Sequence, residues 1–169
     1  PRHADATARD PAVLAPDGRF AEEQLALRDV ARDLFAKLAP VSRLRDLLDG
    51  ADPGRDAWRQ LAAVGLTGIG VPTGNGGTGG DATDLVLVLE EAGRAALPEP
   101  LASTMAVAVP ACAAAGADTV LDAVASGDAT VGVWSVEDAV HEDPGHDWVL
   151  VVDHDAVWLL PAEEVGPRR

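Results

Sequence analysis

The sequence predicts an α+β protein, helices first and strands after, and three observations carry that prediction. Apolar residues recur at three- and four-residue spacing from residue 21 to about 126. Beyond Gly127 the pattern changes to short Val- and Trp-rich runs of strand composition. Glycine and proline mark most of the joints between these segments.

The helical part begins after a loose lead-in, residues 1–19, which mixes charges with Pro11, Pro16 and Gly18. From Ala21, the residues Leu27, Val30, Ala31, Leu34 and Leu38 form an apolar stripe. Glu22, Glu23 and Asp29 lie early, where the helix dipole favours anions, and Pro40 ends the helix. Ser42 is the expected cap of a short helix through Leu44, Leu47 and Leu48. A third helix follows Pro53, with Trp58, Leu61 and Ala62 on one face and Gly65 at its stop. Residues 73–80 hold five glycines in eight, which predicts a loop of little side-chain bulk.

Leu85-Val-Leu-Val-Leu89 has the composition of a buried strand. However, the segment continues through Glu90, Glu91 and Arg94, too far for an ordinary strand. Asp81 as cap and Glu90 with Arg94 as an (i, i+4) pair favour helix. Pro98 and Pro100 interrupt the chain before an uncharged, Ala-rich helix over residues 101–115. A last helix starts at Asp118, buries Val120, Leu121 and Val124, and stops at Gly127. Strands are expected at residues 130–136, 148–152 and 156–160, the last two as a hairpin around a three-residue loop, Asp153-His-Asp155. One strand and one hairpin are too few to be stable alone, so this part reads as incomplete or completed by other chain.

Charge and composition exclude several functions. Thirteen basic against 28 acidic residues give a formal charge of −15, which opposes a nucleic-acid surface. Cys112 is the only cysteine, so neither an internal disulfide nor a Cys-rich zinc site is available, and its apolar helix favours a small buried hydrophobe. No basic start followed by an apolar run precedes residue 15. The Ala-rich segment is too weakly apolar for a membrane span. A cytoplasmic protein without nucleic-acid or membrane partners is therefore expected.

Two motifs invite chemistry and do not sustain it. The glycine loop lacks the Lys-Ser/Thr of a Walker loop, since Asp81-Ala82 follow it, and it has no preceding strand as a dinucleotide fingerprint requires. A tight connection between packed helices is the better reading. His141, Glu142, Asp143, His146, Asp147 and His154 cluster around Pro144 and Gly145 as metal-ligand types. A polar loop seldom supplies the rigid support that ligands need, so no metal site is assigned. Ser103 and Thr104 are the polar groups of interest on the uncharged helix: they either bond back to their own carbonyls or line a cavity.

Four elements in order carry a resemblance: Trp58-Arg-Gln-Leu-Ala-Ala-Val-Gly-Leu66, Gly70-Val-Pro72, Gly76-Gly-Thr-Gly79, and Leu87-Val-Leu-Glu-Glu-Ala-Gly-Arg94. Together they resemble the N-terminal helical domain of acyl-CoA dehydrogenases, over about residues 21–136. Pro98-Glu-Pro-Leu101 further resembles the branch of that family from actinobacterial lipid and steroid catabolism.

The resemblance implies an N-terminal α-helical bundle, residues 20–127, followed by a partial antiparallel β-barrel, residues 128–169. It also implies FAD between barrel and helices, and an acyl-CoA thioester as substrate. The reaction it implies is α,β-dehydrogenation: a glutamate base takes the α proton while the flavin takes the β hydride. By the same resemblance Ser103, Thr104 and Met105 are substrate-pocket residues, and Trp134, Ser135 and Val136 lie at the flavin-contacting strand. The family pattern there is Thr-Glu-Pro-x-x-Gly-Ser-Asp, whereas this chain has Val136-Glu-Asp-Ala-Val-His-Glu-Asp143. The family's catalytic glutamate belongs to a C-terminal helical domain, so no catalytic residue is assigned. The implied protein is a fragment, or a degenerate subunit, working in a homo- or hetero-oligomer of acyl-CoA dehydrogenase subunits. The alternative is a helical interaction or scaffold domain that kept the fold without its chemistry.

Overall fold

The computed structural model describes residues 20–135 and 145–165. Helix α1, Glu22–Leu38, buries Ala31, Phe35 and Leu38. Phe35 is fully buried, while Val30, placed on the apolar stripe from its spacing, is 54% exposed. Helix α2, Val41–Leu48, starts directly after Pro40, and Ser42 is its second residue rather than its cap. The ring of Pro40 holds φ at −64°, which sets the chain direction without a side-chain cap.

Helix α3, Asp56–Ala63, buries Ala57, Trp58 and Leu61. A 3-10 turn at Leu66–Gly68 follows, then another at Thr73–Asn75. The glycine loop folds back on the first of these turns: Thr78 N–H donates to the Gly68 carbonyl at 3.0 Å, and Gly77 N–H to that of Pro72 at 3.1 Å. A Cβ at Gly77 would stand 1.8 Å from the Val71 carbonyl oxygen, so only glycine fits. The loop is thus a packing device, as the missing phosphate-binding residues suggested.

Helix α4, Ala82–Ala95, covers the strand-like Leu85–Leu89 stretch. Asp81 caps it, accepting from the amides of Thr83 (2.7 Å) and Asp84 (3.0 Å), while the Asp84 carboxylate accepts from the Asp81 amide at 3.0 Å. Burial follows the helical period: Leu87 and Val88 are buried and Val86 is 61% exposed. Helix α4 packs along α1.

The Ala-rich segment is not a uniform α-helix. Ala102–Ala108 is π-helical, and α5, Val109–Ala115, continues it. Pro110 explains the change of register. It has no N–H to bond four residues back, and its ring crowds that carbonyl; the wider turn before it, closed by Val109 N–H on the Thr104 carbonyl, absorbs the defect. Helix α6, Asp118–Ser126, ends at Gly127, whose φ is +81°; a Cβ there would meet the Cβ of Ala62 at 2.5 Å, so α6 closes directly on α3.

Strands β1 (Val131–Ser135), β2 (Trp148–Asp153) and β3 (Ala156–Pro161) form one sheet in the order β1-β2-β3, and a short helix α7, Ala162–Val165, follows. The sheet is mixed: β1 runs parallel to β2, and β2 antiparallel to β3. This corrects the purely antiparallel arrangement expected from the resemblance. About a dozen residues separate β1 from β2, the length a parallel pair needs for its return. Asp153 pairs with Ala156, so the hairpin loop is the two residues His154-Asp155 rather than three. Val131 and Leu150 join the helical core, with Val133 and Leu159 packed against it. One apolar core therefore runs from the helices into the sheet.

Candidate functional site

A cleft of about 610 Å³ opens where the α2–α3 connection, the start of the Ala-rich helix and the start of β1 meet. Its apolar walls include Leu47, Pro53, Trp58 and Ala102; Arg55, Glu99, Ser103 and His146 supply polar groups. Trp58 is fixed as a wall by its indole N–H, which donates to the Ala129 carbonyl at 3.1 Å.

Arg55 ties this rim to the sheet. Its two terminal nitrogens reach the Asp147 carboxylate at 2.5 and 2.9 Å, and one donates to the Gly145 carbonyl at 3.2 Å. Asp147 in turn accepts from the Thr130 amide at 2.8 Å. His146 Nδ1 lies 3.3 Å from the Thr130 hydroxyl, and its ring rests on β1 so closely that a Cβ at Gly132 would collide with it.

Opposite, Arg43 donates to the Leu38 carbonyl at 2.8 Å and to Glu99 Oε1 at 2.6 Å. The Glu99 side chain is only 7% exposed, and its Oε2 has no hydrogen-bond partner among the described residues. The partners of Arg55, Glu99 and Ser103 are backbone carbonyls and oppositely charged side chains.

The three residues assigned to a substrate pocket separate here. Ser103 lines the cleft, its hydroxyl donating to the Pro100 carbonyl at 3.2 Å, three residues back along the chain. Thr104 and Met105 are buried in the core. The Thr104 hydroxyl clasps β1, donating to the Val131 carbonyl at 3.0 Å and accepting from the Val131 amide at 3.1 Å. Trp134 and Ser135 sit half-buried at the end of β1, where Trp134 is in register with Val151. Val136 and the metal-ligand types His141, Glu142 and Asp143 lie outside the described residues. Cys112 is buried, and desolvation pushes its thiol above the ordinary range, opposite to what a nucleophile requires.

Away from the cleft, the Glu-Glu pair of α4 divides its work. Glu90 takes the exposed Arg94 at 2.5 Å. Glu91 is buried and receives Arg32 of α1 through two bonds, 3.0 and 2.8 Å. That bond from Arg32 holds the Glu91 carboxyl below the usual glutamate range despite its burial. Sequence reasoning finds the Glu90 pair, which is local, and misses those of Glu91, Glu99 and Asp147. A signal for Glu99 does exist: it is the sole charged residue between Arg94 and Asp118, set between two prolines.

Residues 21–128 match the family model described as acyl-CoA dehydrogenase, N-terminal domain. The chain belongs to the acyl-CoA dehydrogenase family. It is similar to acyl-CoA dehydrogenase FadE34 of Mycobacterium tuberculosis, 35% identical over 132 residues, which covers 73% of this chain and 18% of the relative. It is also similar to acyl-CoA dehydrogenase IpdE2 of the same organism, 36% identical over 100 residues, covering 57% of this chain and 31% of the relative. Among solved structures, a variant of the Tcur3481-Tcur3483 steroid ACAD superposes with a TM-score of 0.63 at 32% identity, over 82% of this chain and 39% of that one. The ChsE4-ChsE5 complex from Mycobacterium tuberculosis shares the fold with a TM-score of 0.63 at 22% identity, over 85% of this chain and 48% of that one. The chain thus spans less than a third of either curated relative. Among the described residues no helix is long and apolar enough to cross a membrane, and no group of three or more His, Cys, Asp or Glu is placed to hold a metal ion.

Proposed function

We propose that this chain is part of an FAD-dependent acyl-CoA dehydrogenase that acts on acyl-CoA thioesters from lipid or steroid breakdown in the cytoplasm, and that it works in an oligomer with other subunits of the family. The match of residues 21–128 to the N-terminal domain carries this reading. The relatives' names, two acyl-CoA dehydrogenases and a steroid ACAD, support the substrate class.

Within that assembly the chain's own flavin contacts are weakened. Val136 stands where the family pattern has a hydroxyl, and a valine side chain cannot donate to a flavin. Glu137, Asp138, Glu142 and Asp143 follow within seven residues, a run of carboxylates that opposes the anionic diphosphate of FAD. Trp134 and Ser135 remain as neighbours of that site, a donor set that fits the cofactor poorly, so no chemical step is assigned to it. When bound, FAD supplies the hydride acceptor for the dehydrogenation.

Purification alone and with a flavin-competent family subunit tests the reading. The chain alone is expected to carry no flavin absorbance, and the co-purified complex to carry flavin and oxidise an acyl-CoA. Stoichiometric flavin on the chain alone would overturn the weakened site. A stable lone monomer that no family subunit captures would favour the scaffold alternative.

A further inference from the structure

A second cavity, of about 470 Å³, lies away from the cleft, between the start of α1, the turn after α3, the glycine loop and the start of α4. Its apolar lining is Leu27, Val64, Leu66 and Ile69. Leu66 and Ile69 are buried, but Val64 is 53% exposed, and Phe20, next to the lining residue Ala21, is 39% exposed. The carboxylates of Glu23, Asp81 and Asp84 also line the cavity. Among the described residues no arginine or lysine forms an ion pair with any of the three.

The chain enters α1 at the edge of this cavity, so the residues that precede Phe20 are tethered beside it. Within residues 1–19 the longest uncharged run is Pro11-Ala-Val-Leu-Ala-Pro16, and Val13 and Leu14 are its large aliphatic side chains. Between that run and Phe20 stands Pro16-Asp17-Gly18, the composition of a reverse turn: proline presets φ, aspartate bonds its own backbone and glycine accepts positive φ. A reversal there lays Val13 and Leu14 back alongside residues 20–24, the stretch that borders the cavity. Pro11 and Pro16 bias the residues before them to extended backbone and leave the run less conformational freedom to lose on docking.

We infer that residues 11–16 of the same chain occupy this cavity, with Val13 and Leu14 against Leu27, Val64 and Ile69 and with Arg19 beside Glu23. The segment straps the first turn of α1 to the glycine loop and the start of α4. This contact is independent of flavin, substrate and partner subunits.

NMR on the full chain tests it. Nuclear Overhauser contacts are expected between methyl groups of Val13 or Leu14 and those of Leu27, Val64 or Ile69. Backbone order parameters at Val13 and Leu14 are expected near about 0.85, the value of rigid backbone. Leu14→Ser is expected to abolish the contacts. It should also speed amide exchange at Leu25, whose N–H donates to the Ala21 carbonyl at 3.0 Å in the first turn of α1, by at least about tenfold. Val64→Ser, on the cavity wall, is expected to release the segment as well, lowering the order parameters of Val13 and Leu14 below about 0.6. A half-exposed valine with nothing packed on it would have no such effect at a distance.

Order parameters below about 0.6 at Val13 and Leu14 in the unaltered chain overturn the inference. So do methyl contacts found only between differently labelled chains, which put the segment on a second copy. Ordered residues without contacts to Leu27, Val64 or Ile69 overturn it too, because the segment then packs elsewhere. The measurements on the unaltered chain decide the matter even if neither variant folds.

Discussion

Glu91 shows how one side chain sets a pH limit on the fold. Its carboxylate is buried between α1 and α4 and held by Arg32, whose own pKa is raised by the same bond, so the arginine stays charged throughout. A carboxyl whose folded pKa is depressed adds stability above its unfolded value, and loses it as pH falls through the folded one. The unfolded reference is 4.5, so the contribution is complete at neutral pH, starts to fall near that value and is lost as pH drops through the lower folded pKa. Glu91→Gln is therefore expected to lower the urea midpoint at neutral pH and to flatten its fall in acid. The two proteins should converge at the lowest pH at which both still fold. Parallel curves, displaced equally at every pH, would show that the residue acts through packing alone.

At the scale of elements, the Ala-rich segment matters because it supplies the missing neighbour of β1. A strand edge leaves amide and carbonyl groups unpaired, and Thr104 satisfies both groups of Val131 from a π-helical turn. Thr104→Val keeps the volume and removes both bonds. The expected loss is about 3 kcal/mol, from roughly 1–3 kcal/mol for each group left unpaired. Calorimetry should show a melting midpoint lower by roughly 6–12 °C, at about 2–4 °C per kcal/mol for a chain of this size. A change of a degree or less would mean that water replaces the hydroxyl. The helices were legible because their signals are local: Asp81 as a cap, Gly65 and Gly127 as stops, and the Glu90–Arg94 spacing. What was not legible depends on distant or subtle geometry. The π turn arises from a missing N–H at Pro110, Ser42 was displaced as a cap by the ring of Pro40, and β1 runs parallel to β2 through pairings that no periodicity records.

At the scale of the whole molecule, the cleft is assembled from residues far apart in the chain, which limits how much of it the sequence could reveal. Ser103 was within reach as a hydroxyl on an uncharged helix. Arg43 and Glu99 meet across 56 positions, and Arg55 and Asp147 across 92, so neither pair has a local signature. The second pair is the charged tie between the helical layer and the sheet. Each of its side chains is about a third exposed, 31% and 34%, so solvent screens the attraction. Its effect should accordingly be local: Arg55→Ala is expected to reduce global stability by about 1 kcal/mol while releasing Asp147 from the rim of β1. Amide exchange separates this role from general destabilisation. The amides of Val131–Ser135 should exchange faster in the variant, while those of α1 and α4, held by Arg32 and Glu91, keep their rates. Uniform acceleration across α1, α4 and β1 would mean that the sheet and helices open as one unit, and that the pair is a surface contact like any other.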